Sequence, residues 1–327
     1  MELLSTGVIV MMIVVGSVTA LIGLICVLYY CCVLRYKTYR GLVSLMGKNV
    51  VITGASSGIG KATALDLARR GAKVILACRN EKKTSEVIKE IREAVENADV
   101  VDYHLDLASL KSVRSFAEKI KQDVTKLDLL INNAGIGEQG KTEDGFDLMF
   151  GVNHFGPFLL TNLLLDLLIR SAPSRIINLS SLAHRFSPEF DFTEEVKDGV
   201  RYPHLASYPI SKMAVNLFTH ELSRRLTNTQ VSVCSVHPGI VYTGGIDKVL
   251  TRGGCCRKLF MPFFRSIMRS PEAGAQCVIH CAIDESVREL SGSYFVDCQV
   301  GKESTKASDE ELAKQLWDVS CTATGLV

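Results

Sequence analysis

Excess charge of either sign is nearly absent from this chain of 327 residues, in which 37 Lys and Arg offset 35 Asp and Glu to leave a formal charge of +2. Bulk attraction to nucleic acid needs a basic surplus, so the composition speaks against nucleic acid as a partner. Internal repeats, long linkers and low-complexity runs are also missing after Gly47, which favours one domain over residues 47–327. The 11 cysteines are odd in number and lack the repeating spacings of disulfide frameworks or zinc-ligand pairs. They read as reduced thiols, and no metal site is expected. A hydrophobic fraction of 47%, a charged fraction of 22% and a mean hydropathy of +0.19 exclude a disordered or collagen-like chain.

The most local absence lies near the N-terminus, where the 32 residues from Leu3 to Leu34 contain no Asp, Glu, Lys or Arg. About 20 apolar residues cross a bilayer as a helix, so the segment reads as a transmembrane anchor. A cleaved signal peptide would carry a basic n-region and an apolar stretch of only about 7–15 residues. Here Glu2 is the one charged residue ahead of the span. Arg35, Lys37, Arg40 and Lys48 follow it, and a basic flank marks the cytosolic side. Residues 1–46 are therefore assigned to anchor and basic flank, with the remaining body facing the cytosol. Cys31, Cys32, Cys255 and Cys256 stand either as small apolar residues or as palmitoylation sites beside a membrane.

After Gly47, short β-branched runs alternate with longer amphipathic stretches, the pattern of βαβ units on a parallel sheet. Seven strands are expected, over Val50–Thr53, Lys73–Ala77, Val100–Leu105, Leu127–Asn132, Arg175–Leu179, Val231–Val236 and Ser293–Val296. Helical patterns between them include Ile59–Arg70, Glu81–Glu96, Ser109–Val124 and Ser207–Leu226. The fold class is thus α/β, a Rossmann-like doubly wound sheet of seven parallel strands preceded by a transmembrane helix.

The first strand runs into Thr53-Gly54-Ala55-Ser56-Ser57-Gly58-Ile59-Gly60 and then a helix, where backbone amides can approach a diphosphate. A nucleotide-triphosphatase P-loop would need a glycine where Ala55 stands and a Ser or Thr where Ala62 stands, so that reading fails. Farther on, Tyr208-Pro209-Ile210-Ser211-Lys212 puts a phenol and an ammonium on one helix face. A free phenol titrates near 10. A tyrosine working as acid or base near neutrality therefore needs a neighbouring cation to favour its phenolate, and Lys212 can supply that field.

TGASSGIG at 53–60, NNAG at 132–135, NLSS at 178–181, YPISK at 208–212 and HPG at 237–239 occur in this order across the body. Together they resemble the short-chain dehydrogenase/reductase family over residues 47–300. KVILACRN, GVNHFGPFLLT, SRIINLSSLAH, LFTHELSRRL and LWDVSC resemble its membrane-bound retinol dehydrogenase branch, which interconverts retinoids and other lipid carbonyls with a nicotinamide cofactor. The resemblance implies Tyr208 as proton donor in reduction and acceptor in oxidation. Lys212 would lower its pKa and bind the nicotinamide ribose. Ser181 would hydrogen-bond the substrate oxygen, and Asn153 would hold a water in a relay to Lys212.

Cofactor contacts implied in the same way are Gly54, Ser56, Ser57, Gly58, Ile59 and Gly60 in the turn, Asp106 and Leu107 near the adenine, and Asn133, Ala134 and Gly135. Tyr208, Lys212, Pro238, Gly239 and Thr243 complete the set. Ser181 and Tyr208 lie 27 residues apart, longer than the family's usual interval, so Leu182–Ala206 is expected to form an inserted loop. Asn178-Leu179-Ser180 is a glycosylation sequon, but it falls in an expected buried strand and is assigned no glycan.

At the end of the second strand, an acid would bind the adenosine ribose and repel a 2′-phosphate. The chain has Ala77-Cys78-Arg79 there, which favours NADP(H) over NAD(H). Between Gly244 and Pro271, six basic residues are interleaved with apolar ones, Arg269 among them. Around residues 245–270 this mixture reads either as a substrate lid touching a lipid interface or as a solvated helix with an ordinary core face. The combined expectation is a membrane-anchored, NADPH-dependent retinal reductase at the endoplasmic reticulum, reversible to a retinol dehydrogenase. A keto-steroid or lipid-aldehyde reductase and a catalytically inactive nucleotide-binding scaffold are the competing readings. Pairing of copies through helix faces is left open.

Overall fold

The computed structural model describes residues 2–30, 36–190, 192, 206–242 and 268–326. Helix α1, Glu2–Tyr29, comes first. Its Val10–Val27 window has a mean hydropathy of 2.7 with none of it buried, so it is long and apolar enough to cross a membrane. The body that follows alternates strand and helix: β1 Asn49–Thr53, α2 Gly58–Arg69, β2 Lys73–Cys78, α3 Glu81–Ala94, β3 Val100–His104 and α4 Leu110–Asp123. Next come β4 Leu129–Asn132, α5 Leu148–Arg170, β5 Ser174–Leu179, α6 Ser207–Arg225 and β6 Val231–His237. The chain closes with α7 Pro271–Ile283, β7 Tyr294–Val296, β8 Gln299–Val300 and α8 Glu310–Thr324.

The strands lie in the order β3-β2-β1-β4-β5-β6-β7-β8, with β1 to β7 parallel. Order reverses between β1 and β4, which opens a crevice at the strands' C-terminal ends. The expected seven strands are present, and the sheet has an eighth. β8 is a two-residue antiparallel return of β7 through a turn in which Asp297 and Cys298 both have positive φ.

Strand periodicity sorts the apolar side chains between two faces. Val50, Ile52, Val74 and Leu76 pack on the face covered by α2, α3 and α7, while Val51 and Ile75 pack on the face covered by α4, α5 and α6. Both faces are dry, so the strands read as continuous apolar runs. Helix α5 is as apolar as a membrane span over Leu148–Arg170, but 72% of it is buried and it is a core helix.

The basic flank packs back onto the body. Tyr39 lies 5.6 Å from the His280 ring and 5.5 Å from the Arg70 guanidinium, and its backbone N–H donates to Gln276 Oε1 at 2.9 Å. Arg70 donates to the Gly41 carbonyl at 2.6 Å, and Leu45 is buried in the core. Lys48 is held by Asp128 at 2.7 Å. Cys78, Cys234, Cys277, Cys281, Cys298 and Cys321 of the body are free thiols, whereas Cys31, Cys32, Cys255 and Cys256 lie outside the described residues.

Candidate active site

The glycine-rich turn leaves β1 with Gly54 at φ 66° and Gly58 at φ 57°, conformations in which a side chain is strained. A Cβ on Gly54 would meet Ala134 Cα at 2.8 Å, and one on Gly60 would meet Asn133 Nδ2 at 2.5 Å and the Gly54 carbonyl at 2.8 Å. Asn133 explains the closeness, because its Nδ2 donates to the carbonyls of Thr53 (2.7 Å) and Gly54 (3.2 Å). Thr53 Oγ1 in turn accepts from Ala134 N at 3.0 Å. The two motifs thus lock into one platform across β1 and β4.

Asn80, Ser109, Ser270 and Asp309 cap the first turns of α3, α4, α7 and α8 with their side chains. Ser57 makes no such bond before α2. The first amides of α2 are therefore available to an anionic ligand, and the side-chain-free glycine surface lets a diphosphate reach them. The residues present fit a dinucleotide.

Beyond β2, Arg79 projects with its side chain 69% exposed, and Nη1 is 3.8 Å from Asp106 Oδ2. Asp106 also accepts from Ala108 N at 3.0 Å, while the cap of α4 is Ser109, so Asp106 is not that helix's cap. Leu107 packs against Gly156, where a Cβ would lie 2.7 Å from the Leu107 carbonyl. Cys78 is buried, and burial raises its thiol.

The candidate residues gather at the C-terminal ends of β4, β5 and β6. Ser181 lies two residues past the end of β5 and caps the short turn Leu182–Phe186, accepting from Ala183 N at 3.2 Å. Tyr208 and Lys212 rise from the first turns of α6. Burial pushes the half-buried Tyr208 phenol above its ordinary value, and a hydrogen bond with Ser181 pulls it down. Lys212 is buried, its Nζ 5.8 Å from the centre of the Tyr208 ring and donating to the Leu179 carbonyl at 2.8 Å. Desolvation pushes this ammonium down to about 8.

Asn153 sits in a π-wound stretch of α5, Gly151–Phe155, a local unwinding that often accompanies functional residues. Its Oδ1 accepts from Ile136 N at 2.8 Å, while its Nδ2 donates to the Ile136 carbonyl and to Ser211 Oγ, each at 3.0 Å. Ser211 Oγ donates to the Tyr208 carbonyl at 2.8 Å, linking Asn153 to the first turn of α6. A Cβ on Gly135 would lie 3.3 Å from Lys212 Nζ and 3.5 Å from Asn153 Oδ1, so that glycine separates the two. Pro238 and Gly239 follow β6, Gly239 with φ 89°. Thr243 and residues 244–267 lie outside the described residues. Arg269, expected on a basic lid, is instead buried against Asp297.

Several supporting residues escaped sequence reasoning. Asn132 and Asn178 are register partners on β4 and β5, and Asn132 Nδ2 donates to Asn178 Oδ1 (2.8 Å) and Thr161 Oγ1 (3.0 Å). The available signal was an asparagine near the C-terminal end of each of two mostly apolar strands. His184, three residues after Ser181, is buried, with Nδ1 2.7 Å from the Ser181 carbonyl and Nε2 accepting from Ser304 N at 3.3 Å. Burial lowers its pKa, so it is a neutral brace for the Ser181 turn.

This glycine platform, with a tyrosine, lysine and serine at the edge of β5, agrees with comparison to known proteins. The family profile described as short chain dehydrogenase matches residues 48–252. The chain belongs to that family. It is 46% identical over 286 residues to human retinol dehydrogenase 13, covering 86% of each chain, and 45% identical over 290 residues to human retinol dehydrogenase 11, covering 87% of this chain and 88% of that one. A crystal structure of an uncharacterized protein from Mycobacterium paratuberculosis superposes with a TM-score of 0.70 at 31% identity, covering 88% of this chain and 98% of that one. These likenesses place the chain in the membrane retinol dehydrogenase branch, as an NAD(P)-dependent oxidoreductase of alcohol and carbonyl groups.

Proposed function

We propose that this chain reduces retinal or a closely related lipid carbonyl with NADPH, reversibly, using Tyr208 as general acid and base. The observation that carries the reading is the meeting of Tyr208, Ser181 and Lys212 at the edge of β5, beside the glycine platform. A nicotinamide cofactor, when bound on this platform, would supply a hydride to the carbonyl carbon. Tyr208 gives its phenolic proton to the substrate oxygen, and takes a proton from the alcohol in the reverse direction. Ser181 donates to the same oxygen as negative charge develops there.

Protein burial alone raises the phenol, so the lowering that neutral catalysis requires is assigned to the Lys212 cation, which also binds the nicotinamide ribose. Asn153 holds a water that returns a proton toward Lys212, its amide fixed by Ile136 and Ser211. Residues 54 and 56–60 hold the diphosphate, and Asn133, Ala134 and Gly135 support the nicotinamide side with Pro238, Gly239 and Thr243. Asp106 and Leu107 flank the adenine. Arg79 receives the 2′-phosphate, with no carboxylate at position 78 to oppose it.

The retinoid assignment is supported by the names of the relatives and by α1, which suits a membrane-dissolved substrate. We assign residues 1–46 to anchor and flank, and residues 47–327 to one cytosolic catalytic unit at the endoplasmic reticulum. The test is a panel of retinals, keto-steroids and alkyl aldehydes with NADPH and with NADH. Retinal reduction by NADPH should give the highest kcat/KM. Preference for a steroid would replace the substrate class, and absence of cofactor oxidation with every carbonyl would overturn the enzymatic reading.

A further inference from the structure

The geometry points to Arg269 as a positioning residue that holds the Pro238–Gly239 wall of the cofactor site in place, an inference that rests on the proposed site. Its side chain is only 5% exposed, unusual for an arginine unless paired. Nη1 donates to Asp297 Oδ1 at 2.6 Å and to the Pro238 carbonyl at 3.4 Å. The backbone ties the same segments, because Arg269 N donates to the Ile240 carbonyl at 2.8 Å and Tyr242 N donates to the Arg269 carbonyl at 2.9 Å. One residue thus joins the loop after β6, the approach to α7 and the β7–β8 turn.

The fit leaves no slack on either side. A Cβ on Gly239 would stand 2.5 Å from Arg269 Nη1, so the glycine at this point serves the arginine as well as the φ of 89°. Across the loop, a Cβ on Gly274 would meet Val241 Cγ2 at 2.5 Å and Ile59 Cγ1 at 3.3 Å. Val241, pinned beside Arg269, therefore packs through α7 toward Ile59 of the glycine-rich turn. Releasing the arginine would loosen the wall on the nicotinamide side and the packing behind the diphosphate turn together.

The guanidinium also faces His237, whose pKa falls to about 4, first through burial and then through the Arg269 charge. Held neutral, His237 accepts from Leu182 N through Nδ1 at 3.3 Å, next to Ser181. The other charged or titratable groups bearing on His237 are Cys277, Asp297 and His184. Arg269 thus reaches the substrate-oxygen side of the site without touching substrate.

The experiment measures NADPH affinity by fluorescence titration, together with KM, kcat and melting temperature, for the full chain in detergent. Arg269→Met should weaken NADPH binding by about tenfold or more, with a matching rise in KM and a much smaller change in kcat. Arg269→Lys, which keeps the Asp297 pair, should recover part of the affinity. Asp297 has φ 51° and is partly exposed, and asparagine tolerates that backbone, so Asp297→Asn tests the pair even where Arg269→Met fails to fold. A purely structural role would lower the number of binding sites and kcat while leaving the dissociation constant of the folded fraction unchanged. Unchanged affinity in Asp297→Asn and in folded Arg269 variants overturns the inference. A wild-type chain that binds no dinucleotide overturns the proposed site itself and this inference with it.

Discussion

Lys212→Met should make the protein more stable and inactive. Lys212 is 4% exposed, and the folded-state pKa of its ammonium is about 8 against the ordinary 10.5. At about 1.4 kcal/mol per pH unit, keeping this cation charged in the fold costs about 3 kcal/mol at neutral pH. Methionine has nearly the same length and no charge. It forfeits the bond to the Leu179 carbonyl, which gives back roughly 1–2 kcal/mol. A net gain of about 1–2 kcal/mol remains, equivalent to a melting temperature higher by about 2–5 °C for a body of this size.

The pH dependence supplies an internal control. A lysine whose folded pKa is depressed has its full destabilising effect below about pH 8, and the effect disappears as pH rises toward 10.5, because the unfolded chain then binds more protons than the folded one. Wild-type stability should therefore gain on that of Lys212→Met between those limits. Urea midpoints for cofactor-free protein at pH 7 and pH 10, with both proteins in the same detergent, make the comparison. A Met variant less stable than wild type at pH 7, or a constant gap between the two across pH, would refute the picture of an uncompensated buried charge.

Tyr208→Phe should cost about 10²–10⁴ in kcat while leaving NADPH affinity within a few-fold, and a variant keeping more than about a tenth of wild-type kcat would remove Tyr208 as the acid. Arg79→Ala should lower kcat/KM with NADPH by about tenfold or more and leave the NADH value nearly unchanged, since only NADPH carries the extra phosphate; equal losses would end the selectivity role. Gly60→Ala should lose dinucleotide affinity, because its methyl would face backbone of the turn at 2.8 Å, and normal titration curves would show that the platform yields. In sealed microsomes, added protease should remove the body without detergent, and protection of the body would put the active site on the lumenal side.

Features carried by periodicity or local spacing were open to reading in the sequence. Val50, Val51 and Ile52 alternate between the two faces of one strand, and Tyr208 and Lys212 share a helix face, as their positions demand. Partnerships across long separations were not. Nothing near Asn153 announces that its amide is bound by Ile136 and Ser211, and Arg269 looks like one more lid cation until Asp297 folds beside it. Strand β8 was missed because its turn uses Asp297 and Cys298 at positive φ, where glycine or asparagine is the usual marker. The packing of the basic flank on the body was not legible, because the contacts of Tyr39 depend on His280 and Arg70 from distant helices.

What these partnerships share is a choice of acceptor. Lys212 bonds the carbonyl that ends β5, Asn133 bonds the carbonyl that ends β1 and the one after it, and Arg269 bonds the carbonyl that follows β6. At and just past their last residues, parallel strands have carbonyls that the ladder no longer uses, and such groups are costly when buried without a donor. Long polar side chains from neighbouring elements satisfy them, and in doing so become fixed at the edge where a dinucleotide would lie. The satisfaction of strand ends and the preorganisation of the site are therefore one set of bonds. For Lys212 the demand of the site prevails: methionine would suit the fold better, and the buried charge persists because the proposed chemistry needs it beside Tyr208.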